Sequence, residues 1–132
     1  MLDVRNKEDF VSGFIPNSIF IGLDGSFAPW VGALIPDLMQ PILIIAPEGR
    51  EEETVKRLAR VGYDNAIGYL AGGFSAWKSA GNEVDSIKTI NVVEFEKAYS
   101  NGETKNILDV RKPGEWSGEH IDGAQHFALD FN

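Results

Sequence analysis

The chain has 132 residues, of which 43% are hydrophobic and 24% charged, with a formal net charge of −8 and a pI near 4.7. That length supports about one domain with its own core, and the negative charge argues against nucleic-acid and anionic-membrane binding, where the phosphate term is repulsive. There is no cysteine, which removes disulfides, thiolate chemistry and Cys-ligated zinc.

Residues 1–5 open on a strand pattern, and residues 6–12 predict a short helix with Phe10 and Val11 facing inward and Gly13 closing it. After the loop Ile15-Pro16-Asn17-Ser18, residues 18–23 predict a second apolar strand that ends in the turn Asp24-Gly25. Residues 27–39 are apolar, and Pro29 and Pro36 limit any helix there to roughly two turns. Ile42 to Ile45 is a continuous aliphatic run, the pattern of a strand covered on both faces. Ala46, Pro47, Glu48, Gly49 and Arg50 then reverse the chain, and Glu51 begins a helix whose apolar positions Val55, Leu58, Ala59 and Val61 are expected on one face. Gly62 fits a C-terminal cap, residues 66–70 give another strand, and Gly72-Gly73 opens a last helix, 74–79, stopped by Gly81. Alternating strands and helices across residues 1–84 imply parallel β-α units, with helices on both faces of one sheet.

The loop after Ile45 holds the place of an active site, since ligands gather beyond the carboxyl ends of strands in open α/β sheets. Such a strand-loop-helix aims backbone N–H groups and the helix dipole at an anion. Here Glu48, Glu51, Glu52 and Glu53 already make the helix start negative, and no Cys, Ser, Thr or His lies between Pro41 and Glu53 to act as a nucleophile. The loop has the layout of a catalytic one without its chemistry.

Residues 85–132 begin a new unit, with a short strand expected over 86–92, a helix over 93–99 that turns Val93 and Phe95 inward, and the turn Ser100-Asn101-Gly102. Residues 108–130, LDVRKPGEWSGEHIDGAQHFALD, then align without a gap on residues 2–24, LDVRNKEDFVSGFIPNSIFIGLD. Phe10 matches Trp116, Ile15 matches Ile121, and Leu-Asp closes both copies. The offset, 108 − 2 = 106 residues, is that of a duplicated unit.

The two LDVR starts, the acidic-aromatic pairs Asp9-Phe10 and Glu115-Trp116, the stretch from Gly118 to Ala124, and Leu70-Ala71-Gly72-Gly73-Phe74-Ser75-Ala76-Trp77 resemble the rhodanese-like sulfurtransferases over nearly the whole chain. The resemblance implies an α/β fold, an open parallel five-stranded sheet with helices on both faces. It divides the chain into residues 1–84, a rhodanese-like domain lacking its first strand and the catalytic cysteine, and residues 85–132, the N-terminal part of a second. Active members carry Cys-x-x-Gly-x-Arg in the loop after the fourth strand. Ala46 stands at the cysteine, Gly49 at the glycine and Glu51 at the arginine. The family histidine is replaced by Phe14 in the first copy and kept as His120 in the second. The wording of the loop, followed by a second start, further resembles fusions of a metallo-β-lactamase-fold domain with tandem rhodanese domains, which implies persulfide or thioester chemistry carried outside these residues.

Asp3 with Arg5, and Asp109 with Arg111, are read as structural hydrogen-bonding pairs rather than catalytic groups. His120, His126 and Asp130 match no common metal-ligand spacing, so no metal is expected and the histidines read as solvated loop residues. Trp77 and Trp116 read as half-buried anchors, Trp30 as the candidate partner-binding residue, and Lys56, Arg57 and Arg60 as the wet face of a helix. The expectation is a non-catalytic module, without cofactor, whose partners are the neighbouring domains of a larger protein. The competing reading is a cysteine-independent hydrolase or phosphatase-like enzyme on the same fold. No stretch has the length of a membrane span and residues 1–30 lack the pattern of a signal peptide, so a cytoplasmic place is expected. The two near-identical strands at Leu2 and Leu108 also raise the expectation of a homodimer formed by segment exchange, with residues 87–99 completing the first unit.

Overall fold

The computed structural model describes residues 1–129. In chain order its elements are β1 (Leu2–Asp3), α1 (Lys7–Ser12), β2 (Ile19–Phe20), α2 (Phe27–Leu34), β3 (Ile42–Ile45), α3 (Glu51–Arg60), β4 (Ala66–Tyr69), α4 (Gly73–Ser79), α5 (Val92–Ser100), β5 (Leu108–Asp109), α6 (Pro113–Gly118) and β6 (Gln125–His126). They fall into two compact units, Met1–Thr89 and Ile90–Asn132.

In the first unit the aliphatic run forms β3, and the sheet assembles around it in the order β2-β1-β3-β4. Every pair is parallel, with Leu2 opposite both Ile19 and Ile44, and Ile42 opposite Ala66. Side chains alternate across a strand. Leu2, Val4, Ile42 and Ile44 therefore share one face, which packs with Phe27 and Val31 of α2, Leu58 of α3, and Tyr63. Tyr63 Oη donates to the Ile35 carbonyl at 2.5 Å, so the one hydroxyl in that cluster is satisfied. Asp3 and Ile45 point the other way. Phe10 of α1 stacks there on Phe14 and Phe20, both at 4.6 Å between ring centres.

The sheet of this unit has four strands where five were expected. The segment expected as a strand over 86–92 does not extend it. Asp85 instead makes an isolated antiparallel bridge with Phe14, each N–H donating to the other's carbonyl at 2.9 Å, and Ile87 N–H donates to Val11 at 2.8 Å. Backbone groups satisfied at the end of α1 are not free to pair with a sheet edge.

The helix α3 begins where predicted but buries a different stripe. Thr54 and Leu58 are buried, whereas Val55, Ala59 and Val61 are exposed. Thr54 Oγ1 donates to the Arg50 carbonyl at 2.8 Å, which lets a polar residue face the core without an unmet hydroxyl. Arg57 is likewise not on the wet face: it donates to the Leu23 carbonyl at 2.8 Å and lies over the Phe27 ring at 4.9 Å. Lys56 pairs at the surface with Glu52 at 2.8 Å, as an i, i+4 pair should.

In the second unit α5 opens with a capping box: Asn91 and Glu94 each accept the other's backbone N–H at 2.8 Å. Val93 is exposed rather than inward, and Phe95 is half-buried and stacks on Tyr99 at 6.1 Å. The strands β5 and β6 form a separate two-stranded parallel sheet, with Leu108 opposite Gln125 and Asp109 opposite His126. No helix among the described residues is long and apolar enough to cross a membrane.

Candidate functional site

Ala46 follows β3 directly and is buried, with 6% of its surface exposed. The chain then turns: Arg50 N–H donates to the Pro47 carbonyl at 3.1 Å, and Gly49 sits at φ 84°, the left-handed region that a side chain resists. The Arg50 guanidinium is held on three sides. Nη1 and Nη2 each donate to the Asp24 carboxylate at 3.0 Å, and Nε donates to Glu53 Oε2 at 2.7 Å. Hydrogen bonding from Arg50 lowers the pKa of both carboxylates, and those bonds raise the pKa of Arg50. Glu52 is lowered in the same way by Lys56. Two of the first-turn acids are thus paired with cations. Among the described residues no salt bridge reaches Glu48 or Glu51, so the negative charge at the loop mouth is theirs.

The opposite wall is the start of α4. Gly72 and Gly73 sit at φ 76° and 64°, and a Cβ on Gly72 would lie 2.8 Å from that of Ala76. This tight turn brings Phe74 beneath Arg5, whose guanidinium carbon stands 4.5 Å from the ring centre. Arg5 also binds Asp3 with Nε at 3.0 Å and Nη2 at 2.8 Å, and its Nη2 donates to the Gly13 carbonyl at 2.7 Å. A Cβ on Gly13 would meet the Phe74 ring at 2.8 Å, which explains the glycine there. Asp3 and Arg5 are therefore spent on one another and on the backbone, although Arg5 also lines the cleft.

Between these walls lies a shallow cleft of about 420 Å³ bordered by Asp9, Ser12, Ala46, Glu48, Phe74 and Lys78. Ser12 Oγ donates to the Glu8 carbonyl, and both histidines of the chain belong to the other unit. Ser75 and Lys78 also line the cleft, so the arrangement offers an anion a hydroxyl and an ammonium group, but no thiolate at Ala46.

Trp30 lies in α2, half-buried against the core cluster, and does not border the cleft. Trp77 Nε1 donates to the Glu83 carbonyl at 2.8 Å. The second unit repeats the Asp3–Arg5 clamp: Arg111 Nε donates to Asp109 at 3.0 Å and Nη2 to the Glu119 carbonyl at 2.9 Å. The Arg111 side chain, hydrogen-bonded to Asp109, holds its carboxyl down at about 2. The aromatic stack is repeated too. Trp116 takes the place of Phe10, with His120 at 3.7 Å and His126 at 4.9 Å where Phe14 and Phe20 stand in the first unit. His120 is an exposed loop residue as expected, whereas His126 is half-buried in β6, and both rings are held: His120 Nδ1 donates to the Trp116 carbonyl at 2.9 Å, and His126 Nε2 to that of Arg111 at 2.8 Å. Asp130 lies outside the described residues. Among those described, no group of three or more His, Cys, Asp or Glu side chains is placed to hold a metal.

Sequence reasoning missed the Arg50–Asp24 pair, which joins residues 26 apart. The one available signal was Leu-Asp closing both repeats, which marks Asp24 without naming its partner.

A parallel sheet ordered β2-β1-β3-β4, with a loop and helix start at the carboxyl end of β3 facing a Gly-Gly turn, defines a sulfurtransferase-fold α/β domain. The rhodanese-like domain family matches residues 1–80 and 91–132, and the chain belongs to that family. Among solved structures, a rhodanese-like domain from Anabaena sp. is similar at 18% identity and a TM-score of 0.61, covering 69% of this chain and 95% of that one. A second Anabaena sp. structure matches at 22% identity and 0.57, covering 79% of each. A thiosulfate sulfurtransferase from Pseudomonas aeruginosa matches at 21% identity and 0.56, covering 96% of this chain and 27% of that one. No curated protein matches the chain.

Proposed function

We propose that this chain is a non-catalytic rhodanese-like module of a larger protein, one that positions neighbouring domains or binds a partner through the cleft beside Ala46. The observation that carries the reading is the buried methyl of Ala46 at the head of the loop, where sulfur transfer needs a thiolate. The capture of Arg50 by Asp24 and Glu53, and of Arg5 by Asp3 and the Gly13 carbonyl, supports it, because both guanidinium groups already hold partners that compete with an anionic donor. The loop wording and the repeated LDVR start favour a metallo-β-lactamase/rhodanese fusion as the larger protein. Its persulfide or thioester chemistry would then be carried by other residues, and this chain needs no cofactor of its own and works in the cytoplasm. Transfer of sulfur from thiosulfate to cyanide tests the reading: the chain is expected to give the rate of buffer alone, and turnover above it overturns the proposal. Hydrolysis of a phenyl phosphate ester by the chain would instead favour the cysteine-independent enzyme.

A further inference from the structure

The duplicated β-α-β unit carries one three-ring stack in two chemistries. In the first copy Phe10 stacks on Phe14 and Phe20, each at 4.6 Å between ring centres. At the matching positions of the second copy Trp116 stacks on His120 at 3.7 Å and on His126 at 4.9 Å, with interplanar angles of 15° and 11°. Two rings of the second stack therefore titrate between about pH 5 and 8, where no ring of the first does. Each imidazole also spends one nitrogen on the backbone. His120 Nδ1 donates to the Trp116 carbonyl in α6, and His126 Nε2 to the Arg111 carbonyl just past β5, so the two bonds tie the end of α6 and β6 to their neighbours. Among the described residues nothing hydrogen-bonds His120 Nε2 or His126 Nδ1. A second proton can enter at those atoms without breaking a bond. It turns a neutral ring on the indole face into a cation, which the indole quadrupole attracts, and it makes both bonds to the carbonyls charge-assisted.

The surrounding charge works in the same direction. β5 faces the stack with Asp109, opposite His126 in register, and just past its end stands Arg111, already bound to Asp109. α6 and the residues that flank it add Lys112, Glu115 and Glu119, and the turn before β6 adds Asp122. The carboxylates of these elements outnumber the cations. α5 brings Phe95 to the cavity that His120 borders, and Tyr99, whose Oη donates to the Asp122 carbonyl at 3.1 Å. Its charged residues Glu94, Glu96 and Lys97 are negative on balance. An imidazolium at either position therefore sits among more acids than bases. We infer that Trp116, His120 and His126 form a pH-dependent latch on the second unit: protonated imidazoles hold α6 and β6 in place below neutral pH, and their deprotonation loosens both. Stability gained on protonation is present below the imidazole range and lost as pH rises through it. The first unit, with phenyl rings at the same places, is the internal control.

The test is amide hydrogen exchange of the isotope-labelled full chain between about pH 8 and 5.5, a window above the ordinary carboxylate range. Rates are corrected for the intrinsic effect of pH, and the imidazole C–H signals are followed in the same samples. Protection of residues 113–126 should rise on the order of fivefold as pH falls, with the midpoint of the histidine signals, while protection of residues 7–20 stays level. The double variant His120→Phe, His126→Phe gives the second unit the rings of the first, and should abolish the rise. Each single variant should lose part of it, which keeps the comparison if the double variant does not fold. Protection that is unchanged or falls with falling pH, an equal rise at residues 7–20, a rise whose midpoint departs from that of the histidine signals, or a rise that survives in full in the phenylalanine variants would each overturn the inference.

Discussion

Arg50 grips Asp24 with two parallel hydrogen bonds of 3.0 Å and reaches back to Glu53 with a third of 2.7 Å, tying the turn after β2 to the first turn of α3. The loop that would cradle an anion is fastened by its own guanidinium. Hydrogen bonding from Arg50 lowers the Asp24 pKa from its ordinary 3.8, so the carboxylate resists protonation to lower pH. A depressed carboxylate stabilises the fold above its unfolded pKa, and the contribution is lost as pH falls through the lower folded value.

Arg50→Ala should therefore speed amide exchange at Gly49 and Glu51 while shifting the melting temperature little, since the pair is solvent-exposed and screened. Amide exchange at those residues equal to that of the unmodified chain would show that Arg50 does not hold the loop.

Ala46→Cys restores the missing nucleophile in name only. The new thiol would face Glu48 and Glu51, whose charges raise its pKa and repel an anionic donor, against a helix dipole acting the other way. Thiosulfate-to-cyanide transfer by this variant should stay close to background, and adding Glu51→Arg should increase it. An ordinary rhodanese rate from Ala46→Cys alone would refute the electrostatic account.

Ile44 is completely buried at the centre of the sheet, so Ile44→Ala should cost about 2–5 kcal/mol. Gly72→Ala places a side chain at φ 76° and drives its Cβ against Ala76, and should cost more than about 1 kcal/mol. Glu52→Ala should hardly move the melting curve. Denaturant unfolding ranks the three, and the reverse order would mean that β3 is not the organising strand.

What was legible in the sequence was legible for local reasons. Ile42 to Ile45 read as a covered strand, α2 is two turns long with Pro29 in its first turn and Pro36 just past its end, and the absence of cysteine alone leaves the loop without a thiolate. The face of α3 was misread because hydropathy favours Val55 over Thr54, one helical step apart. The Thr54 hydroxyl is satisfied by its own helix, so it packs inward as a small apolar residue would. Residues 86–92 looked like a strand but extend no sheet, because Asp85 just before them bridges Phe14 and Ile87 donates to Val11. The stack of Trp116 with His120 and His126 is present in the internal alignment as matches to Phe10, Phe14 and Phe20. Sequence spacing does not show that those three rings touch, and without that contact the matches carry no meaning.

The second clamp makes the acid behaviour of the second unit predictable. Asp109 carries a pKa of about 2 against an ordinary 3.8, chiefly through its side-chain bonds from Arg111 and then the Arg111 backbone N–H. The folded unit binds this proton less readily than the unfolded one. The pair therefore stabilises the unit at every pH above about 4, and that contribution fades between about pH 4 and 2. Amide signals of residues 108–126 should weaken over that window as the unit opens. In Asp109→Asn the Arg111 guanidinium loses its counter-charge, so the unit should be less stable at neutral pH but should lose less on acidification. An acid response of residues 108–126 that is the same in Asp109→Asn as in the unmodified chain would assign it to other carboxylates and leave the clamp without a role in it.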